Sequence, residues 1–328
     1  EALKDALAEA VNRLEGATES VIVVIPDSRT YPVDFEPDPG VVLALPAGRH
    51  LEIRAANGER PVLVLPRFNL VVEGGKGSSF EVNGLLFTGL PLIVRGELEH
   101  LNLRHTTLVP GWGFRADGRP LAAGARSLFV ESGSTAVLVE RSIVGALSVD
   151  RQARVEIADS IVDAQERSNL AYSESGDEPG GPLTVRRSTV VGGLHTQRLD
   201  LAESSLFLGT VVAEQRQQGC VRFSHVPLGS RVPRRYRCQP EVPAEASPAE
   251  ARRLAARVFP RFTSLSYGDP GYCQLDWRGP REILRGAEDE SEMGVFSSLL
   301  QPRREDALRV RLDEYLRLGL EAGILFVT

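Results

Sequence analysis

The chain has 328 residues, is 42% hydrophobic and 25% charged, and carries a formal net charge of −6. That length accommodates one elongated domain plus a smaller one. No apolar run approaches the ~20 residues that a membrane-spanning helix needs, and the negative charge disfavours non-specific binding to nucleic acid. Lys4 and Lys76 are the only lysines, an imbalance we read as coding-sequence composition rather than chemistry. The chain opens on Glu1 and Met293 is its single Met, so a trimmed or processed product is expected, in which a signal peptide would be invisible.

Residues 1–16 read as a helix. Leu3, Leu7, Ala10, Val11 and Leu14 make one apolar stripe, and Gly16 stands where a helix stops. A strand follows over Val21–Ile25, then a turn at Pro26-Asp27-Ser28 and Tyr31. A helix in this position would cover the open end of a repeat stack, which otherwise templates aggregation.

A refrain then returns along the middle third. Arg141-Ser142-Ile143-Val144-Gly145 is echoed by Asp159-Ser160-Ile161-Val162-Asp163, by Arg187-Ser188-Thr189-Val190-Val191-Gly192 and by Ser204-Ser205-Leu206-Phe207-Leu208-Gly209. Looser echoes begin at His105 and Arg222. The Ser/Thr column reads as 107, 142, 160, 189, 205 and 224, and its short steps are the length of one solenoid turn. Val137, Val139, Val155 and Ile157 alternate as strand residues do, against the 3.6 period of a helix. The expected fold class is therefore an all-β solenoid, a parallel β-helix with strands stacked about 4.8 Å apart. Gly145, Gly192 and Gly209 suit tight corners with positive φ. Residues 17–232 hold eight to ten turns at about 20 residues each.

The N-terminal helix, the strand and Asp27-Ser28-Arg29-Thr30-Tyr31 resemble the N-terminal cap of the pectin-lyase-like right-handed parallel β-helix superfamily, over roughly residues 1–230. The resemblance implies a right-handed coil with an α-helical cap.

Two inserts interrupt the repeat: Pro110 through Arg126, and Gln165 through Pro182. Both begin three to five residues after the column, so both are expected at one corner, where repeat proteins carry their working face. Trp112, Arg115, Glu174, Asp177 and Glu178 are the candidate binding residues there.

Residues 233–259 read as a Pro/Ala/Glu linker with a short helix at about 248–258. Residues 260–328 read as a C-terminal docking region for a protein partner. Its Gly/Pro-rich part carries Phe262, Tyr267, Tyr272, Trp277 and Phe296. A helix is expected over about 303–321 with Leu308, Leu312, Tyr315, Leu316 and Leu320 on one face, then an apolar strand over 323–328 that needs a pairing partner.

Polygalacturonase-like hydrolases need clustered Asp residues, a Gly-His-Gly and an Arg-x-Lys, and none of these motifs is present. Pectate-lyase-like enzymes carry Arg-x-Pro-x-x-Arg, and Arg231-Val232-Pro233-Arg234-Arg235-Tyr236 ends on Tyr where the second Arg belongs. Asp159, Asp163, Arg231, Arg234 and Arg235 are the residues an enzyme reading would test, with Ca²⁺ as its one implied cofactor. Glu288, Asp289, Glu290 and Glu292 form an acidic run that offers a cation site or a solvated charge run. His105, His195 and His225 lie near the column and could stack along one ladder. The odd number of cysteines, Cys220, Cys238 and Cys273, argues against a complete disulfide framework, although Cys220 and Cys238 lie one turn apart.

The tail segments Cys220–Ser224, Arg234–Cys238, Tyr267–Cys273, Gly286–Gly294 and Asp313–Arg317 resemble a group of bacterial β-helix proteins associated with phage-tail-like contractile injection particles. That resemblance implies a structural or adhesive part of an assembly, in a bacterial cytoplasmic particle or outside the cell. The leading expectation is a non-enzymatic structural or binding component with the β-helix as a rigid spacer. The alternatives are a polysaccharide lyase or hydrolase and a glycan-binding module.

Overall fold

The computed structural model describes residues 2–16, 19–33, 41–321 and 323–324. Parallel strands dominate and stack into long sheets, an arrangement compatible with a parallel β-helix. The first sheet has ten strands, running from Ser20–Ile25 through Ala136–Glu140 and Leu199–Glu203 to Arg234–Tyr236. A second sheet runs from Thr30–Pro32 through Ile161–Asp163 to Leu206–Phe207. A third runs from Val41–Leu45 through Leu170–Ser173 to Val211–Ala213. Strand Ile143–Val149 is long enough to serve both of these, because it runs straight through the corner between them.

Apart from shifts at 126–128, 170–172 and 183–184, pairing is in register, so inward positions become ladders of aliphatic groups. In the first sheet Val23, Ile53, Val82, Leu103, Val139, Ile157, Val185, Ala202 and Val221 lie one above another. All are buried. A one-residue slip would turn the whole ladder to solvent, which is why the alternation specifies the register. Helix Ala2–Glu15 seals the N-terminal end, burying Leu3, Leu7, Ala10 and Leu14. In the turn after the first strand, the Tyr31 hydroxyl donates to Asp27 Oδ1 at 2.6 Å, so this motif is a fixed corner.

The corner between the first and second sheets takes two residues. The first sits in the left-handed region: His105, Arg141, Asp159, Arg187, Ser204, Phe223 and Arg237 have φ between 42° and 49°. The second is a hydroxyl residue. Ser142 Oγ accepts from Thr106 N at 3.1 Å and donates to Glu140 O at 2.8 Å. Ser160, Ser188, Ser205 and Ser224 repeat this at 3.0–3.2 Å. Cys238 closes the column, its thiol donating to Tyr236 O. Left-handed backbone costs a non-glycine residue about 1–2 kcal/mol, and the buried hydrogen bonds of the next residue offset it.

The column thus runs through 106 and 188, where the sequence pointed to 107 and 189. The neighbouring Thr107 and Thr189 begin second-sheet strands. The expected role of the glycines also changes. Gly192 has φ 128°, but Gly209 has no positive φ and is required by closeness: a Cβ there would lie 2.4 Å from the Gly192 carbonyl carbon.

Beyond the sheets lie helices Pro248–Arg257 and Gln301–Tyr315. Ser247 caps the first, accepting from Glu250 N at 3.2 Å. The second ends near 315 rather than 321. Of its expected apolar face, Leu308 and Tyr315 are exposed and Leu312 is half-buried. The strand expected over 323–328 lies mostly outside the described residues. Among these residues no helix is long and apolar enough to cross a membrane.

Candidate functional site

Residues 259–299 lie across the outer face of the second sheet. The outward side chains Ile161, Val191 and Leu208, which solvent would otherwise meet, are buried with Tyr272 and Cys273 and packed by Phe259, Phe262, Leu265 and Tyr267. A second cluster joins Leu206 to Leu275, Ile283 and Met293. Polar contacts fix the position. Gly294 N donates to Ser204 O at 2.8 Å, and Val295 N to Thr189 Oγ1 at 3.2 Å. The Arg167 guanidinium stands 4.3 Å over the Phe259 ring. Phe259, Phe262, Tyr267 and Tyr272 are therefore used within the chain.

Where this segment meets the first insert, a cleft of about 470 Å³ opens between Phe114, Arg115, Arg119, Asp163, Glu166 and Tyr267. Three pieces of chain shape it. The first insert leaves after Thr107–Leu108 and turns back through the Phe114–Pro120 bridge. Its hinge is Gly111 at φ 66°. The Gln165 side chain accepts from Gly124 N at 2.7 Å and so ties this insert to the following corner. Phe114 stacks on Tyr267, with centroids 5.7 Å apart and planes 4° from parallel. At the cleft floor Asp163 accepts from Gln165 N at 2.6 Å and from the Tyr272 hydroxyl at 2.7 Å. Burial raises the Asp163 carboxyl above the ordinary carboxylate range, and the two hydrogen bonds oppose that rise. The cleft offers stacked rings, two exposed guanidinium groups and an exposed carboxylate, which suits binding of a polar, ring-bearing molecule.

The second insert is not one excursion. Residues 164–169 turn the corner, and Leu170–Ser173 is a third-sheet strand with Tyr172 fully buried. The real excursion is 174–182, leaving from the next corner. Leu170-Ala171-Tyr172 lies inside an otherwise polar run, which hid the strand. The two excursions still meet: Arg126 donates to Ser173 Oγ at 2.8 Å and Glu174 O at 3.2 Å, and pairs with Asp177 at 3.5 Å.

Of the five candidate binding residues, only Arg115 lines the cleft. Trp112 is half-buried, and its indole N–H donates to Arg126 O at 3.0 Å. Glu174 and Asp177 hold Arg126, and exposed Glu178 accepts from Glu174 N through its carbonyl at 2.8 Å.

The residues an enzyme reading would test do not converge. Asp159 occupies a left-handed corner and holds Arg187 through two hydrogen bonds of 2.7 and 2.9 Å. Asp163 stands at the far end of the same strand. Arg234 and Arg235 belong to the last strand of the first sheet, and Arg231 bridges to Val212 beside the third. The acidic run also diverges. Glu288 pairs with Arg222 at 3.6 Å, the Asp289 carboxylate accepts from Ser291 N at 3.1 Å, Glu290 is exposed, and Glu292 is buried elsewhere. Among the described residues no three His, Cys, Asp or Glu side chains group to hold a metal ion. The histidines share no ladder: His105 is a corner residue, His195 lies on the third sheet and bonds Glu214 at 2.9 Å, and His225 is buried beside Phe207. All three cysteines are free thiols.

Sequence reasoning passed over Phe114, Arg119, Glu166 and Arg187. Arg187 sits at the variable position before the column, where nothing marks it. Tyr267 and Tyr272 were visible as aromatic punctuation, but their partners lie more than a hundred residues away. No protein-family model matches the chain, and no curated protein matches it.

Proposed function

We propose that this chain is a right-handed parallel β-helix of the pectin-lyase-like kind that serves as a non-enzymatic structural or binding component of a larger assembly. A phage-tail-like particle is the setting suggested by the resemblance of the tail. The observation that carries the reading is the separate pairing of its acidic and basic groups. A general acid and base must flank one substrate bond, whereas Asp159 is bound to Arg187 and Asp163 to Tyr272 at opposite ends of one short strand. The stacked sheets would act as a rigid spacer. Residues 259–299 are occupied by their own second sheet, so helix Gln301–Tyr315, with Leu308, Val310 and Tyr315 exposed, is the element left for a protein partner.

A glycan at the cleft is the second reading, favoured by the Phe114–Tyr267 stack beside Arg115, Arg119 and Glu166. One experiment addresses both: a panel of acidic and neutral polysaccharides, with and without Ca²⁺, followed by unsaturated-product absorbance, reducing ends and retention of the protein. No turnover is expected. Turnover on any member overturns the non-enzymatic reading. Retention that is lost in Arg115→Ala/Arg119→Ala assigns the cleft to a glycan.

A further inference from the structure

A second cavity, of about 530 Å³, lies between residues 263–299 and the start of helix Gln301–Tyr315, away from the cleft. Its walls are apolar where Leu275, Leu284, Phe296 and Leu299 meet, and Trp277 stands on it with 56% of its surface exposed. Glu292 lines the same cavity and is only 8% exposed. Among the described residues its carboxyl has no hydrogen-bond or ion-pair partner, and burial alone acts on it. Of the three arginines at the rim, Arg281, Arg285 and Arg309, the last two are engaged elsewhere, and none of the three bonds Glu292. Arg285 donates to Asp306 at 2.7 Å, and Arg309 pairs with Glu305 and with Asp306 at 3.6 Å.

A largely buried carboxylate with no protein donor is costly to keep ionised, because most of its desolvation is not returned. Its neighbours show how easily a donor could have been provided: Ser291 bonds both Asp289 and Ser297. The group best able to satisfy Glu292 is a charged N–H donor that arrives from outside. The walls would receive an apolar body attached to it, and the volume falls in the range of small-molecule sites.

We propose that this cavity binds a small organic cation, an aryl- or alkylammonium, whose N–H groups donate to Glu292 while its apolar body packs against Leu275, Leu284 and Phe296. Trp277, whose ring already carries the Arg278 guanidinium at 5.0 Å, would wall one side of the site.

The test is calorimetric titration of the full chain with phenethylamine at pH 8, using 2-phenylethanol as the neutral isostere. Saturable binding of the amine is expected, at least about tenfold tighter than the alcohol. Glu292→Gln keeps the shape and removes the charge, so it should lose about tenfold in amine affinity and leave the alcohol unchanged. Leu299→Trp, placed on the exposed rim, should obstruct both. No binding of the amine, equal binding of amine and alcohol, or unchanged amine affinity in Glu292→Gln would each overturn the proposal. Thermal unfolding of each variant separates loss of the site from loss of the fold.

Discussion

The hydroxyl of Tyr272 donates a 2.7 Å hydrogen bond to Asp163, a residue 109 positions earlier, and both groups are buried. This bond joins the C-terminal segment to the second sheet at the floor of the cleft. Tyr272→Phe keeps the ring packing and leaves Asp163 with one donor fewer. A loss of about 1–3 kcal/mol is expected, the desolvation penalty of a buried acceptor, read from urea midpoints at constant m value. Tyr272→Phe/Asp163→Asn should lose less than the two single changes added together, because they act on one interaction. Strict additivity in this cycle would count against the bond.

Removing one hydroxyl from the column breaks several contacts at once. Ser160→Ala leaves Ser142 N without its acceptor and Ala158 O with Arg141 N alone, in a buried corner whose preceding residue is left-handed. A loss of about 1–3 kcal/mol is expected. Ser160→Thr should retain most of the stability, because Thr106 holds the first position of the same column. If alanine is neutral, the column is a consequence of the corner and not a support for it.

Much of the fold was legible because the physics repeats. Val137 over Val155 and Val139 over Ile157 are inward positions on adjacent strands, and burial must select aliphatic groups at each. The Ser column was legible for the same reason, to within one residue, since adjacent Ser and Thr at 188 and 189 are equally polar in the sequence. The cleft was not. Its parts are Phe114, Gln165 and Tyr267, which come from two corners and a distant tail, and each obeys no local period. Tyr172 shows the opposite failure: a single inward strand flanked by Ser, Asn and Glu reads as loop until the neighbouring strands are in place.

Trp112 and Phe114 should separate support from recognition. The Trp112 indole is tied to Arg126 O inside the first insert, so Trp112→Ala should lower stability by about 1–3 kcal/mol. Phe114 is exposed and stacked on Tyr267 at the cleft, so Phe114→Ala should cost little stability and reduce retention of any ring-bearing ligand. Paired thermal melts and retention measurements check this, and the converse pattern would move recognition to Trp112.

The pH dependence of stability should hide two opposed contributions. Burial pushes the His225 imidazole down to about 4 from its ordinary 6.5. The unfolded chain then binds the extra proton first, so this contribution is full above 6.5 and is lost as pH falls toward 4. Burial pushes the Glu292 carboxyl up to about 7 from its ordinary 4.5. Here the native state holds the proton longer, so stability is highest below 4.5 and is lost as pH rises to 7. Each shift corresponds to about 3 kcal/mol at 1.36 kcal/mol per unit, and the two nearly cancel between pH 4.5 and 6.5. Other shifted groups, Asp163 and His195 among them, titrate equally in wild type and variants, so the difference between each variant and wild type isolates one contribution. Glu292→Gln removes the second contribution, so its stability should rise with pH relative to wild type there and exceed it by about 3 kcal/mol above pH 7. His225→Gln should do the reverse and fall relative to wild type across the same window. Urea unfolding of the three proteins from pH 4 to 8 checks the signs. A Glu292→Gln profile parallel to wild type would mean that Glu292 meets a donor in the folded protein.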